Sequence, residues 1–433
     1  MSSPLQSVFG DYMQTASKGL RIHIGLFGRR NVGKSSLLNA LTRQQVSIVS
    51  DIAGTTTDPV EKPMELQPVG PVLFIDTAGI DDVGALGGLR IEKTRQVFDR
   101  TDLAILVTEP DSWNEYEDLL AAQISRRGVP FIIAVNKSDT MSAESTEGNT
   151  GSVPIQYRAI TVRVSAKTGL GLESLRQEIL SRVPLECREP PAILGDLVGA
   201  GEMAILVVPV DKEAPKGRLI LPQVQSIRDL LDSDAFCMVV KERELRAAFD
   251  RLKTLPKLVV TDSQAFLKVA ADVPKEVPLT SFSILFARYK GDLIRQVEGA
   301  MSVDRLKTGD RVLIAEACTH HPIGEDIGRV KIPRWLTQYV GGKLDFVHYQ
   351  GHDFPEDLPS YKLVIHCGAC TMNRREMVNR IRRCNEVGVP VTNYGLAIAY
   401  SLGIFERALA PFPAALDVYH SRRKALKGVI ALC

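Results

Sequence analysis

The chain has 433 residues, enough for about three domains. Its 45% hydrophobic, 24% charged and 6% aromatic residues are the proportions of a soluble globular protein, which excludes the disordered, collagenous and coiled-coil classes. Lys and Arg (53) almost balance Asp and Glu (51), so a net charge of +2 gives no global reason to bind nucleic acid or an anionic membrane.

The first residues, Met1 to Lys18, are polar and mixed, without the basic start and apolar centre of a secretory signal. The longest uncharged stretch, Val387 to Phe405, is broken by Pro390, Thr392, Asn393, Tyr394 and Gly395. A cytoplasmic protein with no transmembrane helix is expected.

From Leu20 to about Val183, short apolar runs alternate with Gly-, Asp- or Asn-rich loops and amphipathic stretches. This is the pattern of a mostly parallel sheet with helices on both faces. Strands are expected at Ile22 to Phe27, Val72 to Asp76, Leu103 to Val107, Phe131 to Asn136 and Ala159 to Val164. The first leads into Gly28-Arg29-Arg30-Asn31-Val32-Gly33-Lys34-Ser35 and then the helical run Ser36 to Leu41, a G-x-x-x-x-G-K-S phosphate loop in its required context. The glycines let backbone N–H groups curl around phosphate oxygens, Lys34 brings a point charge to the terminal phosphates, and the Ser35 hydroxyl suits Mg²⁺. Val32 and Ser36 belong to the same nucleotide-binding set.

Gly54-Thr55-Thr56-Thr57-Asp58 forms a loop able to order around the metal, with Thr56 the preferred Mg²⁺ ligand and Thr55 its alternative. Asp76-Thr77-Ala78-Gly79 follows the next long strand: Asp76 holds Mg²⁺ through water and Gly79 offers its amide to a γ-phosphate. Lys34, Thr56, Asp76 and Gly79 form the expected catalytic set. Asn136-Lys137-Ser138-Asp139 selects the base. The Asp139 carboxylate accepts from N1–H and the exocyclic amine of guanine, groups adenine does not present there, for a discrimination of roughly 10⁴-fold. Ser165-Ala166-Lys167 completes the base pocket, and the nucleotide is GTP.

Pro184 to Pro191 reads as a linker. A second unit follows, with strands at Met203 to Val210, Gly217 to Leu221, Ala235 to Val240 and Leu258 to Val260, and helices at Gln225 to Leu231 and Arg243 to Lys253. Ser281 to Gly299 reads as one long helix. The third part has strands at Val312 to Ala317, Leu363 to Ile365 and Val389 to Thr392. Met377, Ile381 and Cys384 recur at helical spacing as a core stripe, and Arg374, Arg375, Arg380, Arg382 and Arg383 read as a solvated face, since no stacking aromatics interleave with them. The domain boundaries are 1–183, linker 184–191, 192–276 and 277–433.

Seven cysteines are too few and too irregular for a disulfide framework. Three of them fall in a pattern: Cys318-Thr319-His320 after one expected strand and His366-Cys367-Gly368-Ala369-Cys370 after another. If those strands lie side by side, both groups emerge at one sheet edge. Cys367 and Cys370 open the following helix, whose positive end favours thiolate. Three thiolates with a replaceable fourth position suit an iron-sulfur cluster. Zinc held by Cys318, Cys367, Cys370 and either His320 or His366 is the competing reading, and spacing leaves both open. Cys187, Cys237 and Cys433 have no partner at ligand spacing, and His348 and His352 read as surface loop residues.

The nucleotide motifs resemble the GTPases of the Era and TrmE type over about the first 180 residues. Asn31 stands where potassium-activated members of that group ligate K⁺, which implies K⁺ in place of an arginine finger. Ile80 stands where Ras-like enzymes carry a water-orienting glutamine, which implies slow intrinsic hydrolysis and a switch role. The whole chain, including the run Ala214-Pro215-Lys216-Gly217-Arg218-Leu219-Ile220-Leu221-Pro222-Gln223, resembles the FeFe-hydrogenase maturation GTPases of the HydF family. The resemblance implies an α/β fold of three parts: a P-loop GTPase domain with a mostly parallel sheet, a small α/β module that forms a homodimer, and a C-terminal cluster domain. It implies a 4Fe-4S cluster on Cys318, Cys367 and Cys370, with His320 or an exogenous group in fourth position. It also implies a scaffold that receives a di-iron subcluster precursor from two radical-SAM maturases and delivers it to apo FeFe-hydrogenase; the balanced charge and the lack of transmembrane and RNA-binding signals lead to no nucleic-acid or membrane partner being expected. The alternative is a zinc-containing GTPase of tRNA modification or ribosome assembly, against which stands the lack of a basic patch, GXXG clamp or aromatic RNA-binding run after residue 190.

Overall fold

The computed structural model describes residues 17–42, 59–77, 94–141, 152–210, 219–318 and 326–430. Thr55, Thr56, Gly79, His320 and the run 214–218 lie outside the described residues. The chain forms two compact units, Met1–Pro190 and Pro191–Cys433.

The first unit is built on a six-stranded sheet in the order β2-β3-β1-β4-β5-β6. Its strands are β1 (Ile22–Phe27), β2 (Val60–Leu66), β3 (Gly70–Asp76), β4 (Leu103–Thr108), β5 (Phe131–Val135) and β6 (Thr161–Arg163). Only β2 runs antiparallel. β1 and β4 are buried at every position, as an apolar run covered on both faces requires. On one face Leu37, Leu38 and Leu41 of helix α1 (Lys34–Thr42) and Leu175 and Ile179 of a helix at Leu172–Arg182 pack on Ile24, Leu26 and Phe74. On the other, Leu120, Ala121 and Ile124 of α2 (Glu115–Arg126) join Phe27, Leu73 and Ile75.

Two elements differ from expectation. β2 was hidden by its charges and by Pro63, which an edge strand tolerates because one side of its ladder has no partner. The strand expected at 159–164 shrinks to Thr161–Arg163, because Ile155–Ile160 coils into a 3₁₀ helix.

The second unit holds two all-parallel four-stranded sheets. The first, in the order β10-β9-β7-β8, comprises β7 (Met203–Val207), β8 (Phe236–Val240), β9 (Leu258–Thr261) and β10 (Leu279–Ser281), so it extends past residue 276. The strand expected at 217–221 is not formed over its described residues, 219–221. Leu221 opens helix α3 (Leu221–Asp232), with Pro222 in the first turn and the Ile220 N–H donating to Gln223 Oε1 at 3.0 Å. The helix expected at 243–253 is only Leu245–Phe249. The single long helix from 281 is two, α4 (Phe282–Lys290) and α5 (Leu293–Ala300). Gly291 breaks it where a Cβ would come within 2.3 Å of Gln296 Nε2, and Asp292 restarts it by accepting from the Arg295 N–H at 3.0 Å.

The last sheet, in the order β12-β11-β13-β14, comprises β11 (Arg311–Glu316), β12 (Asp345–Gln350), β13 (Leu363–His366) and β14 (Val391–Asn393). β12 was not anticipated, and it moves His348 from a loop into a strand. The chain steps outward from β11 to β12, then crosses back over β11 to β13. The carboxyl ends of β11 and β13 therefore flank a topological switch point, where open parallel sheets form a crevice.

Helix α6 (Arg374–Glu386) follows β13 and buries Met377, Ile381 and Cys384. Its arginines do not form a uniformly solvated face. Arg380 is 4% exposed and binds Glu376, His366 and the Gly351 carbonyl, whereas Arg374 and Arg382 are exposed.

Candidate functional site

The phosphate loop leaves β1 at Gly28, whose φ of +144° and the 2.2 Å approach of a Cβ to the Val107 carbonyl exclude any side chain. Gly33 is equally constrained: φ is +86°, and a Cβ would lie 2.3 Å from Asn136 Nδ2. Lys34 is buried and donates to the carbonyls of Gly28 at 2.9 Å and Arg29 at 2.6 Å, so its ammonium is held inside the loop where phosphate oxygens belong. Ser36 lies on the first turn of α1 and is partly buried.

Asp76 ends β3 beside β1, with Asp76 in register with Leu26. Ser35 Oγ donates to Asp76 Oδ2, and burial raises the carboxyl's pKa. The other oxygen, Oδ1, is buried with no hydrogen-bond partner among the described residues. A hydroxyl and an unsatisfied buried carboxylate oxygen side by side are the donor set that a hydrated Mg²⁺ completes.

The base-side loops are fastened to the phosphate loop. Asn136, 2% exposed, donates from Nδ2 to the Val32 carbonyl at 2.9 Å and accepts at Oδ1 from the Ala166 N–H at 3.1 Å. Lys137 adopts φ of +58° and donates to the Asn31 carbonyl at 2.8 Å while pairing with Glu109, a residue the sequence reading did not single out. Ser165 Oγ donates to Asp139 Oδ1 at 2.7 Å, which aims that exposed carboxylate. Lys167 is exposed. Asn31 has φ of +63° and an exposed side chain. The structure thus brings Gly28, Asn31, Val32, Gly33, Lys34, Ser35, Asp76, Asn136, Lys137, Asp139, Ser165 and Ala166 to one end of one sheet.

In the second unit β11 and β13 lie side by side and parallel, with Ala315 opposite His366. Cys318 follows one strand and Cys367 the other, and both leave at the switch point. Cys367 Sγ accepts from the Ala317 N–H at 3.0 Å and the Ala369 N–H at 3.4 Å, while Thr371 Oγ1 donates to the Ala317 carbonyl at 3.0 Å. These bonds tie the end of β11 to the Cys367–Cys370 turn. Burial pushes the Cys367 thiol up to about 12, with further rise from the charges of Cys370 and Cys318, and burial raises Cys370 as well. The three cysteines share one neighbourhood, but among the described residues no three His, Cys, Asp or Glu side chains are gathered closely enough to hold a metal ion.

Two observations bear on what the thiols suit. Two amide N–H groups directed at one sulfur are the hydrogen bonding that tunes iron-sulfur centres. Lys290 lies buried beside Cys370 and Cys367, its pKa lowered to about 8 by burial against the opposing pull of those thiols. Its charge pulls the Cys370 pKa down against the larger rise from burial. Three thiols, two of them beside a buried ammonium, are a donor set chemically suited to a sulfur-ligated centre.

His366 does not fit as a ligand: its Nε2 meets Arg380 Nη1 at 3.0 Å and its Nδ1 meets the Cys367 carbonyl at 3.0 Å, so both nitrogens are engaged. Burial, and then the Arg380 guanidinium, hold its pKa down to about 3. His352 Nδ1 faces both oxygens of Glu376, at 3.1 and 3.0 Å. Sequence reasoning missed Lys290, which lies at the end of an apolar helical segment with no motif around it.

Comparison with known proteins divides along the same lines. Residues 193–291 match the hydrogen maturase F dimerization domain and residues 294–411 the hydrogen maturase F tetramerization domain, together half of the chain. Residues 23–137 match the 50S ribosome-binding GTPase family. The GTPase Der of Wolinella succinogenes is 35% identical over 169 residues, covering 37% of this chain and 35% of that protein. The tRNA modification GTPase MnmE of Heliobacterium modesticaldum is 35% identical over 185 residues, covering 40% of this chain and 38% of its own. Among solved structures, the G domain of the T. maritima FeoB iron transporter is 26% identical, covers 38% of this chain and 99% of that chain, and gives a TM-score of 0.28. The chain spans little more than a third of the length of the curated relatives it matches. Among the described residues no helix is long and apolar enough to cross a membrane.

Proposed function

The chain belongs to the hydrogen maturase F family, and from that premise we propose that it is a GTP-hydrolysing scaffold that carries a 4Fe-4S cluster and passes a di-iron subcluster precursor to apo FeFe-hydrogenase. The observation that carries this reading is the placing of Cys318 and Cys367 at the switch point of the last sheet, with Cys370 in the turn that follows. Cys318, Cys367 and Cys370 would hold the cluster, with His320 or an exogenous group in fourth position. When bound, the cluster supplies an iron coordination position able to accept an outside ligand.

The chain's own residues supply the rest. GTP and Mg²⁺ occupy the first unit: Lys34 neutralises terminal phosphate charge, Ser35 and Asp76 serve the metal, and Asp139, oriented by Ser165, reads guanine. Thr56, with Thr55 as its alternative, and Gly79 would complete the nucleotide-sensing loops. K⁺ at the exposed Asn31 side chain would add positive charge to the transition state without an arginine finger. GTP turnover controls partner binding and does not perform the assembly chemistry. The two radical-SAM maturases would supply the precursor.

Oligomerisation would belong to the second unit, whose two matched families are a dimerization and a tetramerization domain, which supports a homodimer able to assemble further. β8 is an edge strand of its sheet, with Phe236 65% and Val239 43% exposed, which suits strand addition from a second copy. The reading as a tRNA-modification or ribosome-assembly GTPase loses its ground, because the likeness to MnmE covers only 40% of the chain and the two hydrogen maturase F domains account for half of it.

The test is transfer. The full-length protein, purified anaerobically from cells with and without the two radical-SAM maturases, is incubated with apo FeFe-hydrogenase and hydrogen evolution is measured. Activation only by the protein from maturase-containing cells supports the proposal; no activation by either preparation refutes it.

A further inference from the structure

Lys290, the last residue of α4, is 1% exposed and is held by no carboxylate among the described residues. Its ammonium donates to three carbonyls of one short segment: Ala369 at 2.8 Å, Cys370 at 3.2 Å and Met372 at 2.5 Å. Three N–H donors meeting three acceptors leave none over. The segment so gripped includes Ala369, whose φ of +51° is a left-handed conformation that a residue with a Cβ holds only when its surroundings enforce it. Glu376, the carboxylate whose charge reaches Lys290, is taken up by Arg380 and His352. Ligated as thiolates, Cys370 and Cys367 would place negative charge beside this ammonium.

We propose that Lys290 is a positioning residue of the cysteine site: it clamps the Cys367–Cys370 turn through three backbone carbonyls and sets a fixed positive charge beside the sulfurs that ligate iron. The inference rests on the cluster-binding reading above. A fixed cation near a cluster stabilises the more negative, reduced form, so charge and clamp have separable consequences. Loss of the charge lowers the reduction potential, and loss of the clamp releases a strained turn and weakens iron retention.

Full-length wild type, Lys290→Met, Lys290→Gln and Lys290→Arg are reconstituted anaerobically with ferrous iron and sulfide. Each is checked for folding by circular dichroism, analysed for iron and sulfide, and titrated potentiometrically with EPR detection. At the potential where the wild-type cluster is half reduced, Lys290→Met and Lys290→Gln should show a reduced-to-oxidised ratio about tenfold lower, equivalent to about 59 mV for a one-electron couple. Lys290→Arg should return it to within about threefold. Folded neutral variants that lose iron while Lys290→Arg keeps it also support the clamp. Neutral variants with wild-type iron content and a ratio within about twofold of wild type overturn the proposal, as does failure of both neutral variants to fold, which would make Lys290 a residue of core stability. A wild-type protein that takes up no iron overturns the cluster reading itself, an outcome distinct from equality among loaded proteins.

Discussion

Asn136 is the strut of the nucleotide site, and its removal should be felt at the phosphates although it ends a different strand. Its amide bridges the Val32 carbonyl and the Ala166 N–H, so one buried side chain holds the phosphate loop and the base loop in register. Asn136→Asp is nearly isosteric and keeps an acceptor for Ala166, but it sets an oxygen against the Val32 carbonyl in place of a donor. Leaving a buried partner unsatisfied costs about 1–3 kcal/mol, and more when a charge is introduced. At about 1.4 kcal/mol per factor of ten, GTP affinity should fall about 10- to 100-fold. Asn136→Ala, which loses both bonds, should cost about 2–6 kcal/mol by the same reasoning. Gly33→Ala drives a Cβ toward the same amide, so the double variant Gly33→Ala/Asn136→Ala should lose less than the sum of the two single losses. Titration with a fluorescent GTP analogue and Mg²⁺ measures all four proteins, and thermal melting of the nucleotide-free forms reads the structural part. Asn136→Asp binding within twofold of wild type, with an unchanged melting temperature, would refute the reasoning.

Burial raises the Glu61 carboxyl, but hydrogen bonds from Lys18 and the Arg100 guanidinium outweigh it and hold the pKa down to about 2, from 4.5. An acid depressed in the folded state stabilises it above its unfolded pKa, and that contribution is lost as pH falls from about 4.5 toward 2. Glu61→Gln should therefore flatten the acid limb of the melting-temperature profile in that window; superimposable limbs would contradict the assignment. Phe236→Lys on the exposed edge strand should shift the protein to smaller species in light scattering after size exclusion, and an unchanged mass would remove β8 from the interface. Cys384 is fully buried among the apolar residues of α6, so Cys384→Ala should cost about 1 kcal/mol of stability and leave iron content unchanged. Cys367→Ala should abolish iron binding, and equal iron loss from both variants would contradict the separation of core and ligand thiols.

The nucleotide site was legible because its chemistry is local. Gly28 and Gly33 report positive φ, and Gly28, Asp76 and Asn136 each stand at the end of a strand that reads as an apolar run. The ties between those motifs were not legible: nothing in the sequence pairs Asn136 with Val32 or Lys137 with Glu109, since such bonds depend on which strands become neighbours. The same limit hid β12, whose Asp345 and His348 interrupt an apolar pattern, and β2, whose alternating charges disguise an edge. The break at Gly291 was written in the residue pair Gly-Asp, but the continuous apolar periodicity on either side overrode it. The cysteine pattern was readable as spacing, and the adjacency of β11 and β13 makes it a neighbourhood. Lys290 and the engagement of both His366 nitrogens come only from packing: a lysine after an apolar helical run looks like a solvated helix end, and a histidine beside two cysteines looks like a ligand.

The most direct test of the central claim is metal analysis with EPR on the anaerobically purified full-length chain. Brown protein with about four iron and four sulfide per chain and an EPR signal on reduction is expected, lost when Cys318, Cys367 or Cys370 is replaced. Colourless protein with stoichiometric zinc would contradict it.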